Sequence, residues 1–514
     1  MAVRFMSSRW RGRGKSTALS VLIAVMFQRG KAALKGRCRA LLRWRFTSSL
    51  LILLIVILSG CDSKGAIEQP QSLAFENVVV PIRDIIEKGE LVVVTRNAPT
   101  TYYEGRAGAE GFEYDFVRDY ARDLGVEARF IVAPGVSEML ELMSSGEVDL
   151  AAAGLTRTPA REKHLYFGPA YQTVRQHVVC RRGNKVPSSI EALKDVVLTV
   201  GLNTSYEENL IKLKQIHPGL TWKTSESLST EQLLEQVWRR KTDCTIADSN
   251  IVAINRRYFP ELLVAFPISE EQPLAWILPD NAKALHNHIS NWLVRYKHSG
   301  RLAALYERHY GHVEIFDYVD INVFKRRISN RLPQYQNMFK SAANRYKLPW
   351  TLIAAQAYQE SHWDPEARSP TGVRGLMMLT RRTAKDLGVE DRMDPKQSIN
   401  GGTRYLAKLL RRLPAEIEDV DRMWFALAAY NVGYGHVMDA RKLAVQLGKN
   451  PNAWHDVKEV LPLLSQKRYY RHLKYGYARG YEPVRYVQRI REFQDILEQR
   501  NQTVQNRKKG GSNS

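Results

Sequence analysis

The chain has 514 residues, and its 76 Lys and Arg against 53 Asp and Glu give a formal net charge of +23. This length exceeds one ordinary hydrophobic core and predicts two or three folded units. Such a charge would suit a nucleic-acid-binding protein if it were spread along the chain. However, residues 1–60 hold 12 Lys or Arg and no acidic residue, so no nucleic-acid partner is predicted.

Residues 1–61 have the pattern of an export signal. A basic flank precedes an apolar run over residues 50–58, which is too short to cross a bilayer comfortably. The sequence Leu58-Ser59-Gly60-Cys61 resembles the bacterial lipobox, in which the cysteine is acylated and becomes the new N-terminus. The resemblance implies lipidation of Cys61, and an uncleaved N-terminal anchor is the alternative.

Four cysteines are present, and export would place the mature chain in an oxidising compartment. Cys38 would be removed with the signal and Cys61 would carry lipid. Cys180 and Cys244 then remain, each in a short β-like run. A disulfide between them and two buried free thiols both stay open.

Residues 62–81 are polar and predict a linker, and an alternation of β-like and helical runs follows over residues 82–312. In the segment FEYDFVRDYARDLG, for example, apolar residues recur at spacings of three and four before a glycine. This spacing predicts a helix that ends at the glycine. The alternation predicts an α/β domain with mostly parallel strands.

Four segments of this domain carry a specific pattern: GFEYDFVRDYARDLG, GEVDLAAAGLTRTPAREKHLYFGPAY, VGLNTSYEE and DCTIADS. They resemble the extracellular solute-binding proteins of family 3, which implies a two-lobed α/β periplasmic domain that closes on a small peptide or amino acid. By this resemblance, Thr156 and Arg161 would meet a ligand carboxylate, Ser205 would add a hydroxyl, and Asp248 would take an ammonium group. The alternative is that Arg161 and Asp248 are ordinary surface charges.

From residue 313 to 500 the helical period dominates, which predicts a second, mainly α domain, and residues 501–514 predict a disordered tail. One predicted helix starts at Pro349, and the pair Asp364-Pro365 would stop it. Glu360 would lie in its last turn, where the helix dipole and apolar neighbours both raise a carboxyl pKa. A general acid needs such a pKa, although an exposed terminal charge is the alternative.

Three motifs surround this glutamate in the sequence. They are Glu360-Ser361 with Ser369, Gly372 and GLM (375–377); ALAAYNVGYG (426–435); and YARGYEPVRYV (477–487). In this order they resemble the lytic transglycosylase family, whose lysozyme-like α domain cleaves the glycan of bacterial cell walls. One departure is Met378, where the family commonly has a glutamine that contacts sugar.

The resemblance implies that Glu360 acts alone as acid and base, with no metal or cofactor, and leaves a 1,6-anhydromuramoyl end. It further implies that Ser369 orients the substrate, Tyr430 hydrogen-bonds near the catalytic carboxyl, and Glu482 supports the site electrostatically. The residues themselves leave plainer roles open: a turn for Ser369, core packing for Tyr430, and an ion pair with Arg479 or Arg485 for Glu482.

Together these features predict an α/β two-lobed periplasmic solute-binding-like domain followed by a mainly α lysozyme-like domain. The predicted function is murein cleavage in the cell envelope, with peptidoglycan strands as substrate and a membrane anchor. The family generally attaches to the inner leaflet of the outer membrane, whereas Asp62 resembles an inner-membrane retention signal. Two alternatives are an envelope receptor that binds small ligands and murein without catalysis, and a hydrolytic lysozyme.

Overall fold

The computed structural model describes residues 82–105, 108–280, 282–313, 317–370 and 372–510. The predicted export signal with Cys61, the linker over residues 62–81, and residues 511–514 lie outside this range. Within these described residues, no helix is both long enough and apolar enough to cross a membrane.

Residues 82–310 alternate short helices and strands, as the sequence predicted. In chain order they are α1 (Ile82–Lys88), β1 (Glu90–Thr95), β2 (Tyr103–Glu104), β3 (Ala109–Glu110), α2 (Phe112–Leu124), β4 (Glu127–Val132), α3 (Val136–Ser144), β5 (Leu150–Ala151), β6 (Tyr166–Phe167), β7 (Gln172–Val174), β8 (Gln176–Arg181), β9 (Thr199–Gly201), α4 (Ser205–Ile216), β10 (Lys223–Ser225), α5 (Thr230–Trp238), β11 (Cys244–Asp248), α6 (Ser249–Tyr258), β12 (Leu262–Pro267), β13 (Gln272–Leu274), β14 (Ile277–Leu278), α7 (Lys283–His298) and α8 (Arg301–Tyr310). Short 3-10 helices lie at Arg161–Lys163 and Glu191–Asp195.

These elements form two lobes. The first lobe has a five-stranded sheet of order β4-β1-β5-β14-β6, in which β1 runs parallel to β4 and β5. The second lobe has the antiparallel sheet β11-β8-β12 and the parallel pair β9 and β10. The chain passes between the lobes beside the antiparallel pair β7 and β13.

The prediction of mostly parallel strands is therefore wrong for the second lobe. Its central strand β8 is antiparallel to both neighbours. Apolar runs of buried strands look alike in either orientation, because orientation depends on how the chain returns to the sheet.

The segment around α2 shows how the sequence determines local structure in the first lobe. Phe116 and Tyr120 lie on its buried face, as the helical spacing predicted. Gly125 follows with φ 83°, a left-handed conformation, and its N–H bonds to carbonyls of the last turn. The helix therefore ends where the glycine predicted.

Cys180 and Cys244 face each other in the register of β8 and β11 and form a disulfide. Both are fully buried in the core of the second lobe. This pairing resolves the two alternatives that the sequence left open.

The rest of the chain is helical, as predicted. Its helices are α9 (Tyr318–Asn330), α10 (Leu332–Tyr346), α11 (Trp350–Ser361), α12 (Arg381–Asp386), α13 (Pro395–Arg412), α14 (Asp419–Val432), α15 (Tyr434–Gln446), α16 (Trp454–Val460), α17 (Lys467–Tyr470) and α18 (Tyr481–Gly510), with a 3-10 helix at Leu461–Ser465. Helix α11 packs against α10, α13 and α18, and α14 packs against α13 and α18.

Helix α18 continues to Gly510, past residue 501 where the sequence predicted a disordered tail. Gln, Lys and Arg are good helix formers, and extending an existing helix needs no new nucleus. Weak hydrophobicity alone was therefore a poor reason to end the helix at residue 500.

Ion pairs with buried residues connect α18 to the α/β domain. Asp495 pairs with Arg257 of α6, and its Oδ2 lies 2.6 Å from Nε2 of His312. One turn earlier, Arg491 donates to Oε1 of Glu307 on α8 at 2.7 Å. The last helix therefore contacts α6 and α8 of the domain that precedes it.

Candidate active site

Helix α11 provides an apolar environment for Glu360. Every residue from Trp350 to Tyr358 is buried, so the helix is surrounded by protein over most of its length. Glu360 is the next-to-last residue of the helix and is half-buried. The predicted position in the last turn is therefore confirmed.

The helix ends for a different reason from the one predicted. His362 and Trp363 have φ 55° and 56°, two consecutive left-handed residues that turn the chain directly after Ser361. Such conformations cost about 1–3 kcal/mol each, and the burial of Trp363 offsets part of this cost. Its indole Nε1 donates to the carbonyl of Ala354 at 2.8 Å. Asp364-Pro365 follows this turn and does not cause it.

The Glu360 carboxyl has a pKa suited to proton transfer. Burial raises its pKa to about 7, and a hydrogen bond from Tyr486 acts in the opposite direction. The Tyr486 hydroxyl donates to Oε1 of Glu360 at 2.5 Å. A carboxyl with a pKa near the ambient pH is able to give and take a proton.

Tyr486 was not assigned a role from the sequence, which favoured Glu482 from the same motif. Glu482 lies in the first turn of α18, its side chain is 44% exposed, and it pairs with Arg479 at 3.2 Å. This ion pair is one of the plainer roles that the sequence left open. The available signal for Tyr486 was the spacing Glu-x-x-x-Tyr, which places this residue one helical turn after Glu482. If the tyrosine is buried, its hydroxyl needs a hydrogen-bond partner.

Tyr430 lies at the end of α14 and connects the site to the loop over residues 372–379. Its hydroxyl donates to the carbonyl of Met377 at 2.8 Å. Burial and the Glu360 carboxylate both raise the pKa of Tyr430, so the hydroxyl stays protonated. The predicted proximity of Tyr430 to the carboxyl agrees with this electrostatic coupling.

The loop after α11 is held in one conformation. Ser361 donates to the carbonyl of Leu376 at 3.0 Å, and Gly375 has φ 80°. A Cβ on Gly375 would lie 1.8 Å from the carbonyl oxygen of Arg392, so only glycine fits there. Met378 is half-buried with φ 46°, and it therefore presents its side chain from a strained backbone position.

Ser369 lies near the start of this loop and stabilises its turn. Its hydroxyl accepts a hydrogen bond from the N–H of Val373 at 3.3 Å, and its own N–H donates to the Val373 carbonyl at 3.1 Å. The turn role that the sequence left open is thus observed.

The four ligand residues predicted for the α/β domain lie where the two lobes meet. Ser205 of the second lobe donates to Thr156 of the first at 3.4 Å. Asp248 is buried, which raises its pKa to about 7, while the charges of Arg96 and Arg161 lower it. The carboxyl therefore lies within electrostatic range of Arg161.

Glu208 was missed by the sequence analysis. It bridges the lobes by accepting from Arg161 at 2.6 Å and from Thr158 at 2.9 Å. Arg161 thus pairs with a carboxylate of the chain itself in this structure. The available signal was the presence of two glutamates in the first turn of α4. Acidic side chains are favoured at a helix N-terminus, and a basic loop opposite this terminus favours an ion pair with them.

Two family models match the chain. Residues 91–312 match bacterial extracellular solute-binding proteins, family 3, and residues 337–452 match the transglycosylase SLT domain. The second match includes Glu360, Ser369 and Tyr430, whereas Tyr486 lies beyond it. The two-lobed α/β domain and the helical domain are thereby both assigned to families.

Relatives match across both domains. The membrane-bound lytic murein transglycosylase F 1 of Alkalilimnicola ehrlichii is 46% identical over 416 residues, which cover 80% of this chain and 84% of the relative. The membrane-bound lytic murein transglycosylase F of Maricaulis maris is 46% identical over 450 residues, covering 87% and 97%. A solved structure of a solute receptor for L-cysteine from Neisseria gonorrhoeae is 23% identical with a TM-score of 0.41, and the match covers 45% of this chain and 93% of that one. From its relatives and its two domain matches, this chain belongs to the membrane-bound lytic murein transglycosylase F family.

Proposed function

We propose that this protein is a lyase that cleaves the β-1,4 bond between N-acetylmuramic acid and N-acetylglucosamine in peptidoglycan and leaves 1,6-anhydromuramoyl ends. The main support is the Glu360 carboxyl in a domain that matches the transglycosylase model. Burial raises the pKa of this carboxyl to about 7, and Tyr486 donates a hydrogen bond to it. The names of the relatives support the same substrate.

Glu360 acts first as an acid and then as a base. Its Oε1 accepts from Tyr486, so Oε2 carries the proton that is given to the glycosidic oxygen. As the bond from this oxygen to C1 of the muramoyl sugar breaks, the C6 hydroxyl of the same sugar attacks C1. The Glu360 carboxylate then takes the C6 hydroxyl proton, which restores the acid without water.

Hydrolysis by a lysozyme ordinarily needs a second carboxylate opposite the first. The acids closest to Glu360 in the motifs have other contacts in the structure. Glu482 pairs with Arg479, and Asp364 accepts from the N–H of Glu366 at 3.0 Å. These contacts favour the one-carboxylate reaction over hydrolysis.

Digestion of purified murein sacculi by the full chain and by its Glu360→Gln variant tests this function. Mass spectrometry of the soluble products should find anhydromuramoyl ends with the parent protein and none with the variant. Reducing ends would show a hydrolase instead. A parent protein that binds sacculi but releases nothing would be a receptor.

The envelope location is a second part of the proposal. We infer that the protein is a lipoprotein, exported by residues 1–61 and anchored through Cys61. It would face the periplasm on the inner leaflet of the outer membrane, and Asp62 makes the inner membrane the competing location. The relatives are named membrane-bound, and the disulfide between Cys180 and Cys244 suits an oxidising compartment. Labelling with a radioactive fatty acid should mark the parent and not Cys61→Ser, and density fractionation of the membranes should decide the site.

The α/β domain is proposed to bind a small peptide or amino acid between its lobes and to adjust murein cleavage. The convergence of Thr156, Arg161, Ser205 and Asp248 at the lobe junction supports a ligand there. Addition of murein-derived peptides should raise the melting temperature of the parent more than that of Asp248→Asn. Equal cleavage rates with and without these peptides would remove the regulatory part.

A further inference from the structure

Gln356 is an unusual residue for its position. It is fully buried, one helical turn before Glu360, in a helix whose other buried side chains are mostly apolar. Its Oε1 has no hydrogen-bond partner among the described residues. Burial of an acceptor without a hydrogen-bond partner destabilises the folded state. The presence of an amide at this position therefore has to be explained by something other than its contribution to stability.

The amide group contacts the site through Tyr486. Gln356 Nε2 donates to the Tyr486 hydroxyl oxygen at 3.2 Å, and this hydroxyl donates to Oε1 of Glu360 at 2.5 Å. A tyrosine hydroxyl has one proton, and the NH₂ group of an amide only donates. With Gln356 in this orientation, the Tyr486 proton has to point to Glu360.

We propose that Gln356 is a positioning residue for the cleavage reaction: it directs the Tyr486 proton onto Oε1 of Glu360 and so keeps the transferable proton on Oε2. This role rests on the proposed function, because it has meaning only if Glu360 is the acid and base. Gln356 touches neither substrate nor the reacting atoms in this arrangement; it acts through Tyr486.

The contact also strengthens the bond to Glu360. A hydroxyl that accepts a hydrogen bond becomes a better donor, because successive hydrogen bonds polarise one another. Tyr486 stabilises the carboxylate form and lowers the pKa of Glu360 against the effect of burial. Removing the amide should therefore raise this pKa and make Glu360 a weaker acid toward the glycosidic oxygen.

The test is Gln356→Met in the full chain, a change that keeps the volume and removes the amide. We expect kcat on soluble glycan strands to fall about fivefold, the effect of one lost hydrogen bond, with little change in KM. The alkaline limb of the pH profile should move to higher pH. The melting temperature should be unchanged or higher, since the unpartnered acceptor is removed, whereas a purely structural residue would lower it.

Thr351→Val is the matched control. Thr351 is also fully buried on α11, but its hydroxyl donates to Glu498 at 2.9 Å and not to the site. This control should leave the pH profile in place.

A double-mutant cycle decides the mechanism. In a Tyr486→Phe background, Gln356→Met should have no further effect on kcat, because its effect passes through the tyrosine hydroxyl. An equal loss of kcat in both backgrounds, or an unchanged kcat and pH profile in the single variant, would overturn the role. Failure of the proposed function itself would be recognised separately, as an inactive parent or an active Glu360→Gln.

Discussion

At the scale of single residues, the Glu360 carboxyl is under two opposing influences. Burial favours its neutral form, and the hydrogen bond from Tyr486 favours its charged form, with a resulting pKa of about 7. An isolated glutamate would be almost fully ionised at neutral pH. The environment thus gives a single carboxyl both protonation states, as two successive proton transfers require.

The pH dependence of cleavage follows from this pKa. Because the first step needs the protonated carboxyl, we expect kcat/KM of the parent to fall as the pH rises through about 7. Initial rates on soluble glycan strands between pH 5 and 9 measure this. A rate that stays constant up to pH 9 would show that Glu360 is not the acid.

The same shift has a cost in stability. The folded pKa is above the unfolded value of about 4.3, so stability falls as the pH rises between about 4 and 7. Glu360→Gln, which cannot ionise, should therefore stabilise the protein by up to about 3 kcal/mol at pH 8 and hardly at all at pH 4. Melting temperatures of parent and variant at both pH values provide the comparison, and equal differences at the two would contradict it.

Tyr486 stabilises the charged form of Glu360 through its hydrogen bond. Tyr486→Phe removes the donor to Glu360 and should lower kcat about tenfold, the cost of one charge-assisted hydrogen bond. It should also move the alkaline limb to higher pH, because the carboxylate loses its stabilisation. Tyr405→Phe is a suitable control, since this ring lies 5.1 Å from that of Tyr430 and not in the chain of hydrogen bonds to Glu360.

Only part of this site was predictable from the sequence. Glu360 was, because helical spacing and the motif after it both single it out. Tyr486 and Gln356 were not assigned, because their contact joins residues 130 positions apart, and no local pattern reports which helices pack together. The left-handed residues His362 and Trp363 were also missed, since such conformations are rare outside glycine.

At the scale of elements, the strands and helices of the α/β domain were largely predictable, but their arrangement was not. Hydrophobic spacing located α2 and its end at Gly125, because both signals are local. The direction of β8 relative to β11 and the pairing of Cys180 with Cys244 depend on contacts 64 residues apart. For that reason the cysteine pairing was left open, and the prediction of mostly parallel strands was wrong for this lobe.

The disulfide should stabilise the second lobe. It closes a chain segment of 64 residues, for which the loss of unfolded-state entropy corresponds to about 4 kcal/mol. Replacement of both cysteines by alanine should therefore lower the stability of this lobe, which native-state hydrogen exchange of the β8 and β11 backbone amides reports. Addition of a reductant should destabilise the parent and leave the double variant unaffected.

At the scale of the whole molecule, α18 belongs to the site and to the domain interface at once. Tyr486 near its start contacts Glu360, while Arg491 and Asp495 further along pair with Glu307 and Arg257 of the α/β domain. The sequence predicted two domains from the change in periodicity, but it contained no signal for this interface. Charged residues on a helix are usually solvated, and only the fold shows that Arg491 is buried and that Asp495, 31% exposed, contacts the buried Arg257.

The interface makes the stability of the whole chain sensitive to one carboxylate. Burial would raise the pKa of Asp495, but His312 and Arg257 hold it well below its usual range. Its contribution to stability is therefore present above the unfolded pKa of about 4 and is lost as the pH falls below it. Asp495→Asn would leave the guanidinium of Arg257, with a side chain 5% exposed, without its partner, which should cost about 3–5 kcal/mol.

The pair of Asp320 with Arg489 on the same helix is the matched control. Its side chains are 39% and 31% exposed, so Asp320→Asn should cost at most about 1 kcal/mol. Urea unfolding of the parent and both variants at pH 7 tests this contrast. At pH 3 the difference in unfolding free energy between the parent and Asp495→Asn should be smaller, because the carboxylate then contributes less to the stability of the parent. Equal costs for the two variants would mean that the Asp495 cluster is solvated in solution, and α18 would then not connect the two domains through buried charge.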